Sequence, residues 1–464
     1  MLSFLLVRLH TDKAVLQDVA DYGDVSLIFA YFVLFNVLLA YGMETAFFRF
    51  FNSDQKKETV LSTSAISLLL TSSLVLVFGY LFKQEISNLI HIDPDYIVLV
   101  LWILFFDALV VIPFAYLRAL GKPAKYTVIK LINVVLNLGF NIFLLLFLKS
   151  WAETSSFWDL FYRPNFEVHY IFIANLIASA ATLLLLIPFY FKLNYNFNVK
   201  LWRQMLHYAT PVLVAGIAFS INETFDRILL ERLLPENLSK ASIGTYSACY
   251  KLALFMTLFA AAYRLGIEPF FFSSAKDKEA KNNYAKILEL FVIFGALILL
   301  IVVVFVDVLK LLLIPNEAYW EAMNVVPILL LAYLFLGIYH NLSVWYKITD
   351  LTKFGAYISI FGAILTLAIN LLFIPKFGYM ASAIATLVAY ASMAFISYFI
   401  GQKYYKVPYN LNKIGLYLTL SIGFSALSFQ VFREQYIVGG ALILIFIAFV
   451  WVKEKTNIKQ LIKS

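Results

Sequence analysis

The chain has 464 residues, of which 62% are hydrophobic, 17% aromatic and only 14% charged, whereas an ordinary soluble domain is about 45–50% apolar and about 25% charged. This composition excludes a soluble globular protein. The net charge is +8, but charged residues cluster between apolar runs of about 20 residues, each long enough to span a bilayer. Cys249 is the only cysteine, which excludes an intramolecular disulfide and a CxxC metal or redox site. We therefore predict a polytopic, all-α membrane protein.

Apolar runs bounded by charged clusters predict thirteen membrane-spanning helices. In chain order they lie near residues 25–48, 59–82, 97–117, 127–148, 169–191, 207–230, 243–270, 287–313, 322–345, 354–375, 378–400, 414–432 and 436–452. Before them, Met1 to Leu9 form an apolar stub that is too short to span a membrane and lacks the features of a signal peptide. We interpret the stub as the end of a truncated first helix, produced either by a misassigned start codon or by a genuine truncation.

The distribution of basic residues predicts the orientation of the chain. When the stub is counted as the first helix, the loops after even-numbered helices and the C-terminal tail contain most of the Lys and Arg residues. Short cytoplasmic loops carry this excess in membrane proteins. We therefore predict a multi-pass membrane protein whose even-numbered loops and C-terminus face the cytoplasm.

The connections between the predicted spans leave no room for a soluble catalytic domain. The sequence also lacks a GxxxxGK[ST] loop that could hold ATP phosphates, since Gly121-Lys122-Pro123 has no glycine-rich loop before it. We therefore expect a carrier that works inside the membrane, with no catalytic residues, no cofactor, no metal site and no nucleic-acid partner.

Two features of the first half recur in the second half at similar offsets. Glu44 is followed by two phenylalanines and a charged loop, and so is Glu268, which lies 224 positions later. Arg118 and Lys347 lie 229 positions apart, and each is followed 23 residues later by an asparagine. These matches favour a duplication of six helices, with both copies entering the membrane from the same face.

The duplication predicts two pseudo-symmetric lobes around a central cavity and a terminal helix pair. The N-terminal lobe would occupy residues 1–200, with its first helix truncated, and the C-terminal lobe residues 201–402. Residues 403–464 would form helices thirteen and fourteen and a basic cytoplasmic tail.

This organisation resembles the MOP exporter superfamily (multidrug, oligosaccharidyl-lipid, polysaccharide), whose members have two six-helix lobes. Within it, DYGDVSLIFAYFVLFNVLLAYGMETAFFRF (Asp21 to Phe50) and the block from Ile221 to Phe272 are similar to Wzx-type polysaccharide flippases. The resemblance implies translocation of undecaprenyl-pyrophosphate-linked oligosaccharide from the cytoplasmic to the periplasmic leaflet, for O-antigen, capsule or exopolysaccharide (lipopolysaccharide or related) assembly. The resemblance also implies the bacterial cytoplasmic (inner) membrane as the location, and assembly proteins such as a polysaccharide polymerase as partners.

Two other functions stay open at the level of sequence. One is a multidrug or lipid II exporter of the same superfamily. The other is a polytopic O-antigen polymerase or ligase, which the short outward connections disfavour.

Two cations on helix eight are the leading candidates for substrate binding. Lys251 and Arg264 lie 13 residues apart, which corresponds to about 20 Å along a helix. Staged cations of this kind would suit a pyrophosphate crossing the bilayer, and Arg binds phosphate oxygens in a bidentate manner. The alternatives are an Arg264 bridge to Glu268 at i+4 and snorkelling of Lys251 to the outer interface.

Six further residues complete the candidate substrate set. Three asparagines spaced by four residues form one stripe on helix five, which would serve either as interhelical hydrogen-bond glue or as a wall that meets sugar hydroxyls. Two arginines at cytoplasmic helix ends are explained equally well by topology, and a lysine lies beside the stripe. The six residues are Asn133, Asn137, Asn141, Arg49, Arg118 and Lys130.

Acidic residues within the spans are candidates for binding a coupling proton or Na⁺, because ionisable groups in the hydrocarbon region are costly and usually functional. The densest group is Glu223, Asp226 and Arg227, for which an internal ion pair is the alternative. Asp107 lies mid-span, where Lys130 is a candidate partner. The list is completed by the acids at the duplicated positions, Glu44 and Glu268. His340 lacks any ligand-spaced companion and is expected to be an interior histidine.

Overall fold

The computed structural model of the protein describes residues 2–53, 55–273 and 277–461, with side chains for residues 6–53, 55–268, 270–271 and 277–455. The side chains of Lys276, Lys459 and Lys463, which belong to the predicted basic loops, lie outside this part. Every secondary-structure element of the described residues is helical, which confirms the predicted fold class. The chain forms two compact units, Met1–Arg232 with Glu236–Gly244, and Leu233–Pro235 with Thr245–Ser464.

The first unit contains the helices that precede the α11–α12 turn, with a π-helical segment at Phe143–Phe147. Its helices are α1 Leu2–His10, α2 Val19–Ala40, α3 Met43–Phe51, α4 Lys57–Leu81, α5 Lys83–Ile90, α6 Pro94–Ala119, α7 Pro123–Ile142, α8 Leu148–Ala152, α9 Ser156–Asp159, α10 Glu167–Phe191 and α11 Val199–Leu233.

The second unit contains most of α12, whose first turns belong to the first unit. A 3₁₀ segment at Glu317–Asn324 precedes α15. The helices are α12 Glu236–Ser273, α13 Ala280–Val304, α14 Val306–Leu313, α15 Val325–Leu342, α16 Val344–Ile348, α17 Lys353–Phe377, α18 Tyr379–Tyr404, α19 Leu411–Gln430 and α20 Tyr436–Leu461.

Twelve helical stretches within the described residues are long and apolar enough to cross a membrane. They account for all but one of the thirteen predicted spans. The exception, predicted at 414–432, is the 20-residue helix α19. Ser421, Ser425 and Ser428 are buried in α19 and lower its apolar content.

Besides the span at 322–345, in which Ser343 separates α15 from α16, two predicted spans are broken in the structure. The first, at 25–48, divides into α2 and α3 because Tyr41 and Gly42 both adopt left-handed conformations, with φ of 30° and 72°. A Cβ on Gly42 would also lie 2.6 Å from the carbonyl oxygen of Ala209, so glycine is required on two grounds. The span predicted at 287–313 ends at Val304, and α14 begins after Phe305.

The same packing order recurs in each unit. In the first unit α6 packs on α4 and α10, and α10 packs on α7. In the second unit α15 packs on α13 and α18, and α18 packs on α17. This correspondence is what a duplication of six helices would produce, and the lobe boundaries at residues 200 and 402 stay predictions.

Candidate functional site

A carboxylate–cation pair lies where α3 begins and α6 ends. The break at Gly42 places Glu44 in the first turn of α3, and Arg118 lies in the last turn of α6. The Arg118 guanidinium donates a hydrogen bond to Glu44 Oε1 and forms an ion pair with it. Arg118 also lies 5.0 Å from the ring centroid of Phe48 and 5.4 Å from that of Tyr126. The aromatic rings and the carboxylate together fix the direction of the guanidinium.

The second unit contains a matching pair. Glu268 lies near the end of α12, and Lys347 lies on the short helix α16 that follows α15. Lys347 Nζ lies 2.7 Å from Glu268 Oε1. These are the residues that correspond to Glu44 and Arg118 under the offsets of 224 and 229. We call Glu44–Arg118 and Glu268–Lys347 the matched pairs.

A polar cavity of about 370 Å³ adjoins the first matched pair, and it is formed by the first unit alone. Such a volume falls in the range of small-molecule sites. Its polar lining residues come from α2, α3, α6, α7 and α10, and they are Asn36, Glu44, Asp107, Arg118, Tyr126, Lys130, Asn133, Asn175, Ser179 and Thr182. The cavity thus combines two cations, two acids and several amide and hydroxyl groups.

Lys130 and Asp107 both line this cavity, but each contacts a residue other than the expected partner. Asp107 Oδ1 accepts a hydrogen bond from Ser179 Oγ at 2.9 Å, so Ser179 is the partner that the structure records at bonding distance. Lys130 Nζ lies 4.7 Å from the ring centroid of Phe114. Among the described residues, no acid lies within ion-pair distance of Lys130. A cation–π contact leaves the ammonium donors of Lys130 available to an anion.

Two of the three asparagines of α7 bond to other helices. Asn133 Nδ2 donates to Thr182 Oγ1 on α10 at 2.9 Å. Asn141 Oδ1 lies 2.9 Å from His10 Nε2 on α1, and Asn141 Nδ2 donates to the backbone oxygen of Asn137 at 2.8 Å. Asn141 Nδ2 also lies 3.1 Å from Asn137 Oδ1. These contacts favour interhelical bonding for Asn141, while Asn133 both bonds α10 and lines the polar cavity.

The second matched pair adjoins a cavity of only about 10 Å³. Arg264, Glu268, His340 and Lys347 line it, together with Ser343. Arg264 is exposed, and Glu268 is bonded to Lys347 rather than forming the intrahelical bridge to Arg264. Two cations and one histidine therefore surround one carboxylate. His340 was expected to be an interior histidine rather than a metal ligand, and its place beside Glu268 was not predicted.

The remaining candidates are distributed along α3, α11 and α12. The guanidinium of Arg49 lies 4.2 Å from the ring centroid of Tyr208, and its side chain is exposed. Asp226 is buried and pairs with Arg227 at 2.8 Å. Arg227 Nη1 also donates to the backbone oxygen of Glu223 at 3.0 Å. Lys251 is half-buried on α12.

The acidic candidates do not form a metal centre in the described part of the chain. No group of three His, Cys, Asp or Glu side chains there is arranged to hold a metal ion. The duplication aligns Lys347 with Arg118 and Glu268 with Glu44, but the bond within each pair was not predicted from the sequence. Nothing in the sequence marked Ser179 or His340 as part of these sites.

Comparison with protein families gives two matches. A family of polysaccharide biosynthesis proteins matches residues 15–274, which is more than half of the chain. The MatE family matches residues 211–372. No curated protein sequence gives a significant match.

Several solved structures share the fold. A lipid II flippase MurJ, in an inward closed conformation, superposes with a TM-score of 0.73 at 15% identity, covering 99% of this chain and 100% of that one. A multidrug resistance MATE family transporter of the MOP superfamily, facing inward, gives 0.67 at 11% identity, with 90% and 96% covered. A MOP superfamily transporter from Pyrococcus furiosus gives 0.55 at 13% identity, with 86% and 89% covered.

Proposed function

We propose, since the chain belongs to the polysaccharide biosynthesis protein family of the MOP exporter superfamily, that it moves an undecaprenyl-pyrophosphate-linked oligosaccharide across the inner membrane. Movement would run from the cytoplasmic to the periplasmic leaflet by alternating access, and would supply O-antigen, capsule or exopolysaccharide assembly. The family consists of transporters and flippases that act in a bilayer, and we propose that this chain likewise catalyses no covalent chemistry.

The observation that carries the proposal is the repetition of a matched pair in each unit beside a second cation. In the first unit Arg118 and Lys130 line one cavity. In the second unit Lys347 and Arg264 line another. A pyrophosphate offers several anionic oxygens, and Arg and Lys are the residues that bind them.

When no substrate is bound, the carboxylate of each matched pair would hold the neighbouring cation. Glu44 and Glu268 hold the partly exposed side chains of Arg118 and Lys347 in place through ion pairs. An arriving pyrophosphate would compete for the same donors and recruit the second cation. The amides and hydroxyls of the first cavity, Asn133 among them, would meet polar groups of the headgroup or the first sugars.

The roles of the other candidates are part of the same proposal. Lys251 and Arg49 would contact the anionic headgroup at other stages of its path. The buried Asp226 on α11, with Glu223 beside it, would bind the coupling proton or Na⁺. Under this proposal, replacing both acids by their amides, Asp226→Asn and Glu223→Gln, abolishes ion-dependent transport, whereas unchanged ion dependence would remove them from the coupling role.

Complementation of a flippase-null strain tests the substrate cations. Arg118→Gln, Lys130→Gln, Arg264→Gln and Lys347→Gln should each reduce surface polysaccharide at least tenfold, at equal membrane abundance by immunoblotting. The matched control is Lys353→Gln, which removes an exposed lysine at the start of α17. Wild-type polysaccharide from all four variants would contradict the proposal.

The alternatives predict different phenotypes in the same strains. A multidrug exporter would confer drug resistance, and a lipid II exporter would support growth when the resident lipid II flippase is depleted. A polymerase or ligase would leave lipid-linked repeat units accumulating in the outer leaflet when the gene is deleted, whereas loss of a flippase leaves them in the inner leaflet.

A further inference from the structure

A groove in the second unit lies apart from both matched pairs. It runs where α13 and α19 end and where α15 and α18 begin, and it encloses about 530 Å³. Helix α19 packs on α13 and on α20. Leu299 of α13 lines the groove, and Ile422 and Ala426 of α19 line it and are exposed at its mouth. Such a volume is large enough for part of a lipid molecule.

The polarity of the groove is graded along the helices. Asn324 and Gln430 line it at the helix termini, and both side chains are exposed. Further from the termini the lining is apolar, and includes Leu299, Leu331 and Leu387. A polar rim above an apolar body matches a lipid whose headgroup lies at the interface and whose chains lie in the hydrocarbon region.

Ser425 also lines the groove, and its hydroxyl indicates which class of lipid would bind there. It is 4% exposed, and its hydroxyl has no hydrogen-bond partner in the described part of the chain. It lies five residues before Gln430 on α19, which is about 7.5 Å deeper along the helix axis. A buried hydroxyl without a partner is costly, so a bound molecule with an acceptor at this depth would be favoured.

We propose that this groove binds one diacyl glycerophospholipid, with its headgroup at Asn324 and Gln430 and an ester carbonyl accepting the hydrogen bond of Ser425. The ester groups of such a lipid lie between headgroup and chains, at the depth where Ser425 lies. A prenyl chain offers no acceptor there, so the site is distinct from one for the transported lipid. The groove would open to the outer leaflet of the membrane if the orientation given under the proposed function is correct. The class of lipid does not depend on that orientation.

Native mass spectrometry of the full chain, delipidated in detergent and titrated with defined lipids, tests the proposal. Diacyl phosphatidylethanolamine should bind at one saturable site, about fivefold more tightly than the dialkyl ether analogue, a ratio that corresponds to one hydrogen bond of ordinary strength. Ser425→Ala should abolish the difference between diacyl and dialkyl lipid. Ala426→Trp, which fills the groove, should remove the saturable site.

The matched control is Leu427→Trp, which adds the same bulk at an exposed neighbouring position that does not line the groove. Binding is compared only among variants whose thermal stability equals that of the wild type. Equal binding of diacyl and dialkyl lipid to the wild type would overturn the proposal, as would displacement of the bound lipid by undecaprenyl phosphate. Because no transport is measured, neither result depends on whether the chain is a flippase.

Discussion

Glu268 and Lys347 lie 79 positions apart in the sequence, yet their side chains meet at 2.7 Å. The sequence repeats predicted that these residues correspond to Glu44 and Arg118, but they did not predict that each carboxylate binds its cation. The first pair depends on the break at Gly42, where α3 begins, and the second on the short helix α16, which follows Ser343. Such breaks leave little trace in an apolar pattern.

Reversing the charge of Lys347 tests whether the second matched pair contributes to stability or to transport. The two side chains are 32% and 38% exposed, and a pair of that exposure contributes about 0–1 kcal/mol to folding. We therefore expect Lys347→Glu to lower polysaccharide export strongly while the melting temperature in detergent changes little. The double variant Glu268→Lys with Lys347→Glu should restore the melting temperature fully but export only in part, because the cation would lie on α12. Full export by Lys347→Glu alone would contradict this.

Asp307 gives a prediction for pH. It lies on α14, beyond the end of the spanning helix α13, and bonds to Arg433 at 3.0 Å and Lys310 at 2.5 Å. Burial alone would raise the pKa of Asp307, but the hydrogen bonds and charges of Arg433 and Lys310 outweigh it and hold the pKa below the usual 3.8. A carboxyl with a depressed pKa stabilises the folded state fully above its unfolded pKa, and that stabilisation is lost as the pH falls through the folded pKa.

Asp307→Asn should therefore destabilise the protein by roughly 3 kcal/mol at pH 7, the order expected when a buried ion pair loses one partner. The difference from wild type should shrink as the pH falls from 7 to about 3, towards the depressed pKa of Asp307. Unfolding in detergent at both pH values measures it, with the exposed Glu317→Gln as control. A difference that is independent of pH would show that the charge of Asp307 is not the cause.

At the scale of elements, the positions of the long helices followed from hydrophobicity, because about 20 apolar residues between charged clusters have few other solutions. The ends of these helices could not be predicted from hydrophobicity. Phe305 separates α13 from α14 without a proline or glycine, so nothing in the local sequence marks the break. The stripe on α7 was predicted from its spacing, but its partners His10 and Thr182 depend on tertiary packing.

The asparagine of α17 that corresponds to Asn141 should contribute more to stability than Asn133. Asn370 is 0% exposed, accepts from Ser382 Oγ at 2.8 Å and donates to the backbone oxygen of Thr366 at 2.8 Å. Asn133 is half-buried and lines a polar cavity. We expect Asn370→Leu to lower the free energy of unfolding by about 1–2 kcal/mol and Asn133→Leu by less, as measured by unfolding in detergent.

Adding Ser382→Ala to Asn370→Leu tests the cause. Removing both partners of a buried hydrogen bond is nearly neutral compared with removing one, so the second change should recover part of the loss. No recovery would indicate that packing, rather than the hydrogen bond, dominates at this position.

At the scale of the whole molecule, composition and loop charge were sufficient for the membrane class, and the resemblance to the MOP exporter superfamily is confirmed. The repeated packing of α6 with α10 and of α15 with α18 agrees with the duplication inferred from two offsets. The identity of the cargo does not follow from the fold, because carriers of different cargo share it.

The orientation can be tested with single cysteines. Cys249 is buried, so a Cys249→Ala background provides a cysteine-free protein. In spheroplasts, a membrane-impermeant maleimide should label Glu153→Cys, between α8 and α9, and should not label Lys122→Cys, between α6 and α7, until the cells are lysed. Both positions are exposed. Labelling in the reverse order would invert the proposed topology and the leaflet of the lipid groove.

The most direct test of the proposed function is flipping of a fluorescent undecaprenyl-pyrophosphate oligosaccharide in proteoliposomes, scored by its accessibility to an external enzyme that cleaves the sugar. The purified chain should expose the lipid-linked sugar many times faster than empty vesicles, and Arg118→Gln with Lys347→Gln should reduce that rate to the background while Lys353→Gln leaves it unchanged. A wild-type rate equal to that of empty vesicles, or a full rate in the double variant, would contradict the account.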